Sequence, residues 1–162
     1  MKYIAIICLI ILTACNNHKP KKEFDLPKSY YYKTDKNLQR HAIINYNAKR
    51  DSSILGINAK SATLSNEDVV KIESLIKEKA LIYNKMHTYK PITEPEKYYK
   101  QFIAVIDSKG DKIVWVECFC EAFGNDWKKE LQDVHDGGSC FFRLKINLTT
   151  NKVIAFSTNG IA

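Results

Sequence analysis

Three cysteines in the C-terminal half of the chain have a type and spacing that suit a specific chemistry. Cys118 and Cys120 stand two residues apart in an apolar run that predicts a β-strand, and Cys140 lies further along the chain. On one strand the Cβ atoms of the first two would be about 6.6 Å apart, whereas a disulfide requires about 3.5–4.5 Å. We therefore expect a disulfide from Cys140 to either Cys118 or Cys120, with the remaining cysteine as a small buried apolar side chain.

Cys140 also permits two sharper hypotheses, both of which use His135. A tight hairpin through Gly137 and Gly138 would bring His135 close enough to act as the base of a nucleophilic Cys140 thiol. Alternatively, the three cysteines and His135 form a Cys₃His set of the kind that binds zinc, although the C-x-C spacing is poor for it. These two hypotheses describe a small thiol- or metal-dependent enzyme.

Familiar catalytic and cofactor-binding motifs are absent from the sequence. No G-x-x-x-x-G-K-S/T, G-x-G-x-x-G, H-E-x-x-H or G-x-S-x-G string occurs. We therefore predict a non-enzymatic protein with no catalytic residues, no metal site and no cofactor, and keep the thiol- or metal-dependent enzyme as the alternative.

The first residues of the chain predict a processing segment. Lys2 is followed by an uncharged run, Tyr3 to Ala14, which is too short to cross a bilayer and fits the apolar region of a signal peptide. The run ends in Leu12-Thr13-Ala14-Cys15, which resembles the lipobox of bacterial lipoprotein signal peptides. This resemblance implies cleavage before Cys15, a diacylglyceryl group on its sulfur and an acylated (palmitate-bearing) N-terminus. The alternative is an ordinary cleaved signal peptide with a coincidental cysteine.

The residues after Cys15 predict a tether. Residues 15–40 are polar and basic, and they are interrupted by Pro20 and Pro27, so they favour a flexible connection. We therefore divide the chain into a lipoprotein signal peptide at 1–14, a flexible tether at 15–40 and a single α+β domain at 41–162.

Composition and charge narrow the class of partner. The chain has 162 residues, of which 45% are hydrophobic, so it suits one folded domain rather than a wholly disordered protein. The lipobox resemblance implies a membrane partner through the lipid on Cys15. It also implies a location on the cell membrane or outer membrane, with the domain facing the periplasm or the cell exterior. There the net charge of +7 favours an envelope protein or an anionic polymer, and not nucleic acid, as a further partner. We expect a binding or interaction module of the bacterial cell envelope.

The folded part predicts one long helix followed by strands. Ser65 precedes acidic residues suited to a helix start, and apolar residues then recur at helical spacing, which predicts a helix over about 66–85. Residues 51–62 are predicted to be irregular. The spacing of Trp127, Leu131 and Val134 suggests a helical turn, but a strand at 130–135 is favoured because Asp136-Gly137-Gly138-Ser139 is typical of a hairpin turn. Further strands are predicted at 41–46, 101–107, 112–120, 139–148 and 153–158.

One predicted strand presents a mixed aromatic and acidic face. Trp115, Glu117 and Phe119 alternate with apolar residues and so share one side of the sheet. If that side is open, these three side chains form a binding surface; if another layer covers it, they belong to a core.

These elements predict the α+β class, with one amphipathic helix packed on a curled antiparallel sheet of four to five strands. The order of the elements resembles that of cystatin-like and NTF2-like proteins. The C-terminal half also resembles a recurring domain of uncharacterised bacterial lipoproteins. Such resemblances imply a fold and carry no function by themselves.

Overall fold

The computed structural model describes residues 40–122, 124 and 126–160. The predicted signal peptide, the predicted tether as far as residue 39 and the lipidation site Cys15 lie outside the described residues. Within the described ranges, no helix combines the length and the apolar character needed to span a membrane. The elements in chain order are β1 His41–Ile43, α1 Ala48–Leu55, β2 Lys60–Ser61, α2 Asn66–Met86, β3 Tyr99–Ile106, β4 Lys112–Phe119, β5 Phe141–Asn147 and β6 Lys152–Thr158, with 3₁₀ turns at Pro95–Lys97 and Gly138–Cys140.

Helix α2 confirms the long helix predicted at 66–85. It begins with a capping box, in which the Ser65 hydroxyl accepts from the Asp68 amide and the Asp68 carboxylate accepts from the Ser65 amide. Ile72, Ile76 and Ala80 are buried on one face, at the spacing that the sequence predicted. The capping box therefore sets where the helix starts, and the apolar stripe holds it on the sheet.

The carboxyl of Asp68 links this helix start to the sheet. Burial raises the pKa of Asp68, but the hydrogen bond from the Ser65 amide and the Lys112 ammonium, 3.0 Å away, outweigh burial and lower the pKa below its ordinary value. A carboxyl with a lowered folded-state pKa contributes stability that is present above its unfolded pKa of about 3.9. That contribution is lost as the pH falls through the folded-state pKa.

The sheet is open and mixed. Its strands lie in the order β1-β3-β4-β5-β6, β2 also pairs with β3, and the pairs from β3 to β6 are antiparallel. Strand β1 runs parallel to β3, with His41 opposite Lys100. The two predicted hairpins are confirmed as β3–β4 and β5–β6, and the α+β class is confirmed, with two helices on a sheet of six strands, of which β1 and β2 are short.

Both faces of the sheet are covered by apolar layers. On one face α2 packs against the central strands through residues such as Phe102, Val116 and Leu144. On the opposite face Leu55 of α1 and Trp127 pack with Ile103 and Phe119. The sheet therefore separates two hydrophobic cores, which explains why β3 is buried along nearly its whole length.

Helix α1 corrects the prediction that residues 51–62 are irregular. The Asn47 side chain accepts from the backbone amides of Lys49 and Arg50, and the Asp51 carboxylate accepts from the backbone amide of Asn47. These side chains supply the partners that the first backbone amides of the helix lack. Of its residues only Asp51 and Leu55 are buried. A helix this short has no extended apolar stripe, so periodicity in the sequence does not reveal it.

The strand predicted at 130–135 is wrong, and the segment is irregular. Side chains, rather than a neighbouring strand, satisfy its backbone groups. The Gln101 amide nitrogen donates to the carbonyls of Trp127 and Glu130, and its oxygen accepts from the Gln132 amide. The side-chain amide nitrogen of Asn159 likewise donates to the Val134 and Asp136 carbonyls, at 2.6 and 2.9 Å. These contacts supply the backbone partners that a β-ladder would otherwise provide.

The predicted hairpin turn at 136–139 is also wrong. Gly137 and Gly138 both have positive φ, 90° and 60°, and they lead into a 3₁₀ turn that opens β5. A Cβ at Gly137 would lie 2.7 Å from the Phe141 ring. Glycine is therefore required at position 137 by both conformation and space.

Candidate functional site

In the structure Cys140 forms a disulfide with Cys120, and their Cα atoms are 5.1 Å apart. Strand β4 ends at Phe119, so Cys120 lies beyond the regular strand and its amide donates to the Cys140 carbonyl at 3.0 Å. The end of the strand frees Cys120 from the alternation that places Cys118 in the core on the α2 side. The disulfide ties the end of β4 to the start of β5.

Cys118 is a free thiol that is 1% exposed. Burial raises the pKa of this thiol well above its ordinary value, although the nearby positive charge of Lys100 opposes the shift. The reactive form of cysteine is the thiolate. Cys118 therefore stays protonated and behaves as a core side chain.

The structure does not assemble the Cys140–His135 pair as a nucleophile and its base. The Cys140 sulfur is bonded to Cys120, so it carries no proton for a base to remove. The His135 side chain is 85% exposed, and its nearest charged partner is Asp133 at 3.5 Å. Among the residues that the structure describes, no group of three or more histidine, cysteine, aspartate or glutamate side chains is placed to hold a metal ion.

A buried polar cluster lies between β1, α2 and β3, and sequence reasoning missed it. The Glu73 carboxylate oxygen is 2.6 Å from Nε2 of His41 and 3.3 Å from Nζ of Lys100. Lys100 is fully buried, and its ammonium also donates to the Tyr98 carbonyl at 3.0 Å. Nδ1 of His41 is buried without a hydrogen-bond partner. The cluster joins the first strand of the domain to the helix and to the sheet.

A signal for this cluster was present in the sequence. Lys100 shares a face of β3 with Phe102 and Ala104, both of which are core residues. A lysine at an apolar position of a strand predicts a buried charge, and a buried charge requires a partner of opposite sign. The sequence does not identify Glu73 as that partner, because the two residues lie on different elements.

The face with Trp115, Glu117 and Phe119 is covered rather than open. Phe119 is buried against Trp127, with which it forms an edge-on ring contact at 5.9 Å. Trp115 donates to the Glu117 carboxylate at 3.0 Å, and Arg143 lies 3.3 Å from the same carboxylate. Burial raises the pKa of Glu117, against the opposing effects of Arg143 and Trp115. The arrangement is a half-buried ion pair beneath the irregular segment, and not an exposed aromatic surface.

A groove opens between the C-terminal half of α2 and strand β6, which we call the β6 groove. Tyr83 and His87 are stacked with ring centroids 4.2 Å apart, and Tyr83 also contacts the Phe156 ring at 5.5 Å. The Lys79 ammonium lies over the Phe156 ring, 5.4 Å from its centroid. The cavity has a volume of about 250 Å³ and is lined by Lys79, Tyr83, Met86, His87, Phe156, Ser157 and Thr158.

Strand β6 forms an edge of the sheet in the described part of the chain. The backbone N–H of Asn159 donates to the Phe141 carbonyl. In an antiparallel pair, residues that bond to the neighbouring strand alternate with residues that do not. The backbone groups of Phe156 and Thr158 therefore point away from β5. Ile154 has no partner in the β5–β6 register, where the pairing shifts, and it is 54% exposed. The bulge leaves residues 155–158 as the regular edge beside the groove.

The described residues thus hold three candidate sites: the buried His41–Glu73–Lys100 cluster, the half-buried Glu117–Arg143 pair and the β6 groove. Comparison of the chain with models of protein families, with curated proteins and with solved structures found no match. Of the three sites, the β6 groove combines partly exposed rings with outward-facing backbone groups, which suit the binding of another chain.

Proposed function

We propose that the chain is a lipid-anchored protein of the bacterial cell envelope whose α+β domain binds a partner without catalysing a reaction. The Leu12-Thr13-Ala14-Cys15 motif supports the anchor, because it matches the pattern at which lipoprotein signal peptides are cleaved and acylated. Cys15 would carry the lipid, and residues 15–40 would connect it to the domain.

The observation that supports binding is the outer edge of β6 beside the β6 groove. An extended peptide that adds to a sheet edge gains affinity from backbone hydrogen bonds and specificity from pockets for alternate side chains. The outward backbone groups of Phe156 and Thr158 supply the hydrogen bonds, and the rings of Tyr83 and Phe156 supply an apolar pocket. We therefore propose an extended segment of an envelope protein as the partner.

Strand β6 also carries features that limit pairing with the wrong partner. Bulges and lysines on edge strands discourage uncontrolled edge-to-edge association. In β6 the bulge at Ile154 interrupts the edge, and Lys152 is exposed at its start. The usable edge is therefore short, and the groove contacts decide which peptide binds.

The proposal also includes a resemblance of fold to cystatin-like or NTF2-like proteins. Helix α2 lies across one face of the β3–β6 strands, which supports the cystatin-like or NTF2-like packing expected from the order of the elements. The parallel strand β1 and helix α1 are additions to the packing that we expected.

The binding proposal is tested with Thr158→Pro, since proline removes the outward amide of residue 158 without removing a bond to β5. The full chain, Thr158→Pro and the matched control Thr158→Ala are each used to capture partners from envelope extracts at several salt concentrations. We expect one protein to be captured by the wild-type chain and the alanine variant and lost by the proline variant. Equal capture by all three, or salt-sensitive capture of an anionic polymer alone, would contradict the proposed use of the β6 edge.

The anchor is tested separately by the intact mass of the membrane-associated chain. We expect a chain that begins at Cys15 and carries acyl groups, and we expect Cys15→Ser to retain its signal segment without acylation. A wild-type chain recovered without lipid and with Met1 still present would refute the anchor.

A further inference from the structure

Exposed apolar residues gather at the C-terminal end of α2 and in the turn that follows. Leu81, Ile82, Met86 and Tyr89 are 58%, 41%, 69% and 73% exposed. Single exposed apolar side chains are ordinary on protein surfaces, but a cluster of them marks an interaction site. We call these four residues, together with Lys85 and Lys90, the α2-end patch.

The α2-end patch carries positive charge without a neighbouring acid in sequence. Lys79, Lys85 and Lys90 lie between Glu78 and Glu94, and no aspartate or glutamate occurs between those two glutamates. The Lys90 ammonium lies 5.6 Å from the centroid of the Tyr89 ring. Lysines interleaved with exposed aliphatic and aromatic residues are typical of surfaces that rest in the interface of an anionic bilayer.

The patch lies at the end of the domain where the preceding chain arrives. Arg40, the first described residue, donates from its guanidinium to the Lys97 carbonyl and lies over the Tyr99 ring at 5.2 Å. Both contacts are at the start of β3. The segment between Met86, where α2 ends, and Tyr99, where β3 begins, connects this place to the patch. Two hydrogen bonds of 2.8 Å between the Asn84 side chain and the Ile92 backbone hold that segment against the helix.

The opposite end of the domain has a different composition. There the β3–β4 and β5–β6 turns lie beside the start of α2, where Lys112 pairs with Asp68. Exposed lysines occur at that end as well, at Lys109 and Lys152. The strongly exposed large hydrophobic residues nearest to that end, among those described, are Ile57 just before β2 and Ile154 at the bulge of β6, and they stand singly rather than in a cluster. The two ends therefore offer a matched comparison.

We infer that the α2-end patch docks on an anionic lipid surface and orients the domain on the membrane. The inference rests on the proposed lipid anchor, which would hold the domain within reach of the bilayer. At roughly 3.3–3.6 Å per residue, residues 16–39 reach at most about 85 Å, so the anchor alone sets no orientation. The patch supplies the orientation through Lys85 and Lys90 at the head groups and Met86 and Tyr89 at the acyl boundary.

The test uses the full chain with a polarity-sensitive fluorophore attached at Met86→Cys. The other cysteines do not compete for the label in the acylated, folded chain, because Cys118 is buried and Cys120 and Cys140 are bonded to each other. We expect the emission to shift to the blue in vesicles of phosphatidylglycerol and phosphatidylcholine, and not in vesicles of phosphatidylcholine alone. High salt should reverse the shift.

Charge variants provide the matched control. Each lysine near an anionic surface strengthens docking roughly fivefold, so Lys85→Gln with Lys90→Gln should weaken the docking equilibrium roughly 25-fold. Lys109→Gln with Lys152→Gln makes the same change of charge at the opposite end and should leave docking unchanged. Equal effects of the two pairs would overturn the inference.

The remaining outcomes separate the patch from the anchor. An acylated chain whose label stays in a polar environment in every vesicle overturns the inference and leaves the anchor intact. A blue shift without vesicles that grows with protein concentration also overturns it, and identifies a second copy of the chain as the occupant. If the intact mass shows no acylation, Cys8 and Cys15 are replaced by serine so that they cannot take the label, and vesicles are added to this labelled chain. A blue shift specific to phosphatidylglycerol then supports the patch although the anchor has failed, and no shift refutes both.

Discussion

Glu73→Gln is the perturbation that most directly tests the buried polar cluster. Lys100 is fully buried, and the glutamine would leave its ammonium with neutral acceptors alone, the Tyr98 carbonyl 3.0 Å away and the amide oxygen of the glutamine itself. Breaking a buried ion pair by removing one partner costs about 3–5 kcal/mol. We expect about 3 kcal/mol, at the lower end, because the glutamine oxygen still accepts a hydrogen bond and 16% of the Glu73 side chain is exposed.

This loss is large compared with the stability of a domain of this size. Folded domains are stable by about 5–15 kcal/mol, and a loss of about 3 kcal/mol lowers the Tm by about 10 °C. Urea unfolding followed by the fluorescence of Trp115 and Trp127 measures the free energy of unfolding. Glu78→Gln, an exposed position on the same helix, is the matched control and should stay within about 0.5 kcal/mol of the wild-type chain.

A double variant separates the effect of charge from that of packing. Replacing Glu73 by Leu and Lys100 by Met removes both charges together, which is often neutral in a core. We expect this double variant to be more stable than Glu73→Gln. A Glu73→Gln chain that unfolds like the wild-type chain, with the same urea dependence, would refute a stabilising buried ion pair. A double variant that loses as much stability as Glu73→Leu and Lys100→Met added together would refute it as well.

Three further predictions concern the turn regions and the disulfide. Replacing Cys120 and Cys140 by serine should cost about 3 kcal/mol in urea unfolding, because the disulfide closes a loop of about 20 residues. Asp68→Asn should cost about 1 kcal/mol at neutral pH and should flatten the loss of stability below pH 4, since the ionised carboxyl caps α2. Gly137→Ala should cost about 1–3 kcal/mol, because its Cβ would lie 2.7 Å from the Phe141 ring at a positive φ.

Each of these predictions has a control within the same chain. A reducing agent should destabilise the wild-type chain and leave the serine double variant unchanged; an equal effect on both would show that the disulfide is not the cause. For Asp68→Asn, a free energy of unfolding that depends on pH as it does in the wild-type chain would show that the Asp68 carboxyl does not cause the loss of stability in acid. Gly110 has a similar φ of 87° and open space around it, so Gly110→Ala should cost less than Gly137→Ala. If both substitutions cost the same free energy of unfolding, the positive φ alone would explain the loss and the contact with the Phe141 ring would add nothing.

Local patterns predicted those elements whose stabilising contacts are themselves local or periodic. Helix α2 was predictable because Ser65 and Asp68 cap it within one turn and its apolar stripe, from Val69 to Tyr83, repeats over about four turns. The hairpins were predictable because alternating residues bury one set of side chains, as Phe142 and Leu144 show. Helix α1 is too short for such a pattern, and it was missed.

The irregular segment shows the opposite case. Gln101 and Asn159 satisfy the backbone of residues 127–136, and both lie far from that segment in the sequence. A local interpretation of the turn residues Gly137 and Gly138 therefore predicted a strand that does not form. The fate of Phe119 was undecided for the same reason, because the layer that covers it comes from this segment and from α1.

The sequence by itself determined the long helix, the antiparallel strands and the set of cysteines from which a disulfide is chosen. The N-terminal lipid anchor also comes from the sequence and stays a prediction. Tertiary structure decided that Cys120 pairs with Cys140 and that Glu73 meets Lys100 and His41. It also decided that the apolar residues at the end of α2 stay exposed. Periodicity reports which side of an element is apolar, whereas distances between side chains on different elements depend on how those elements pack.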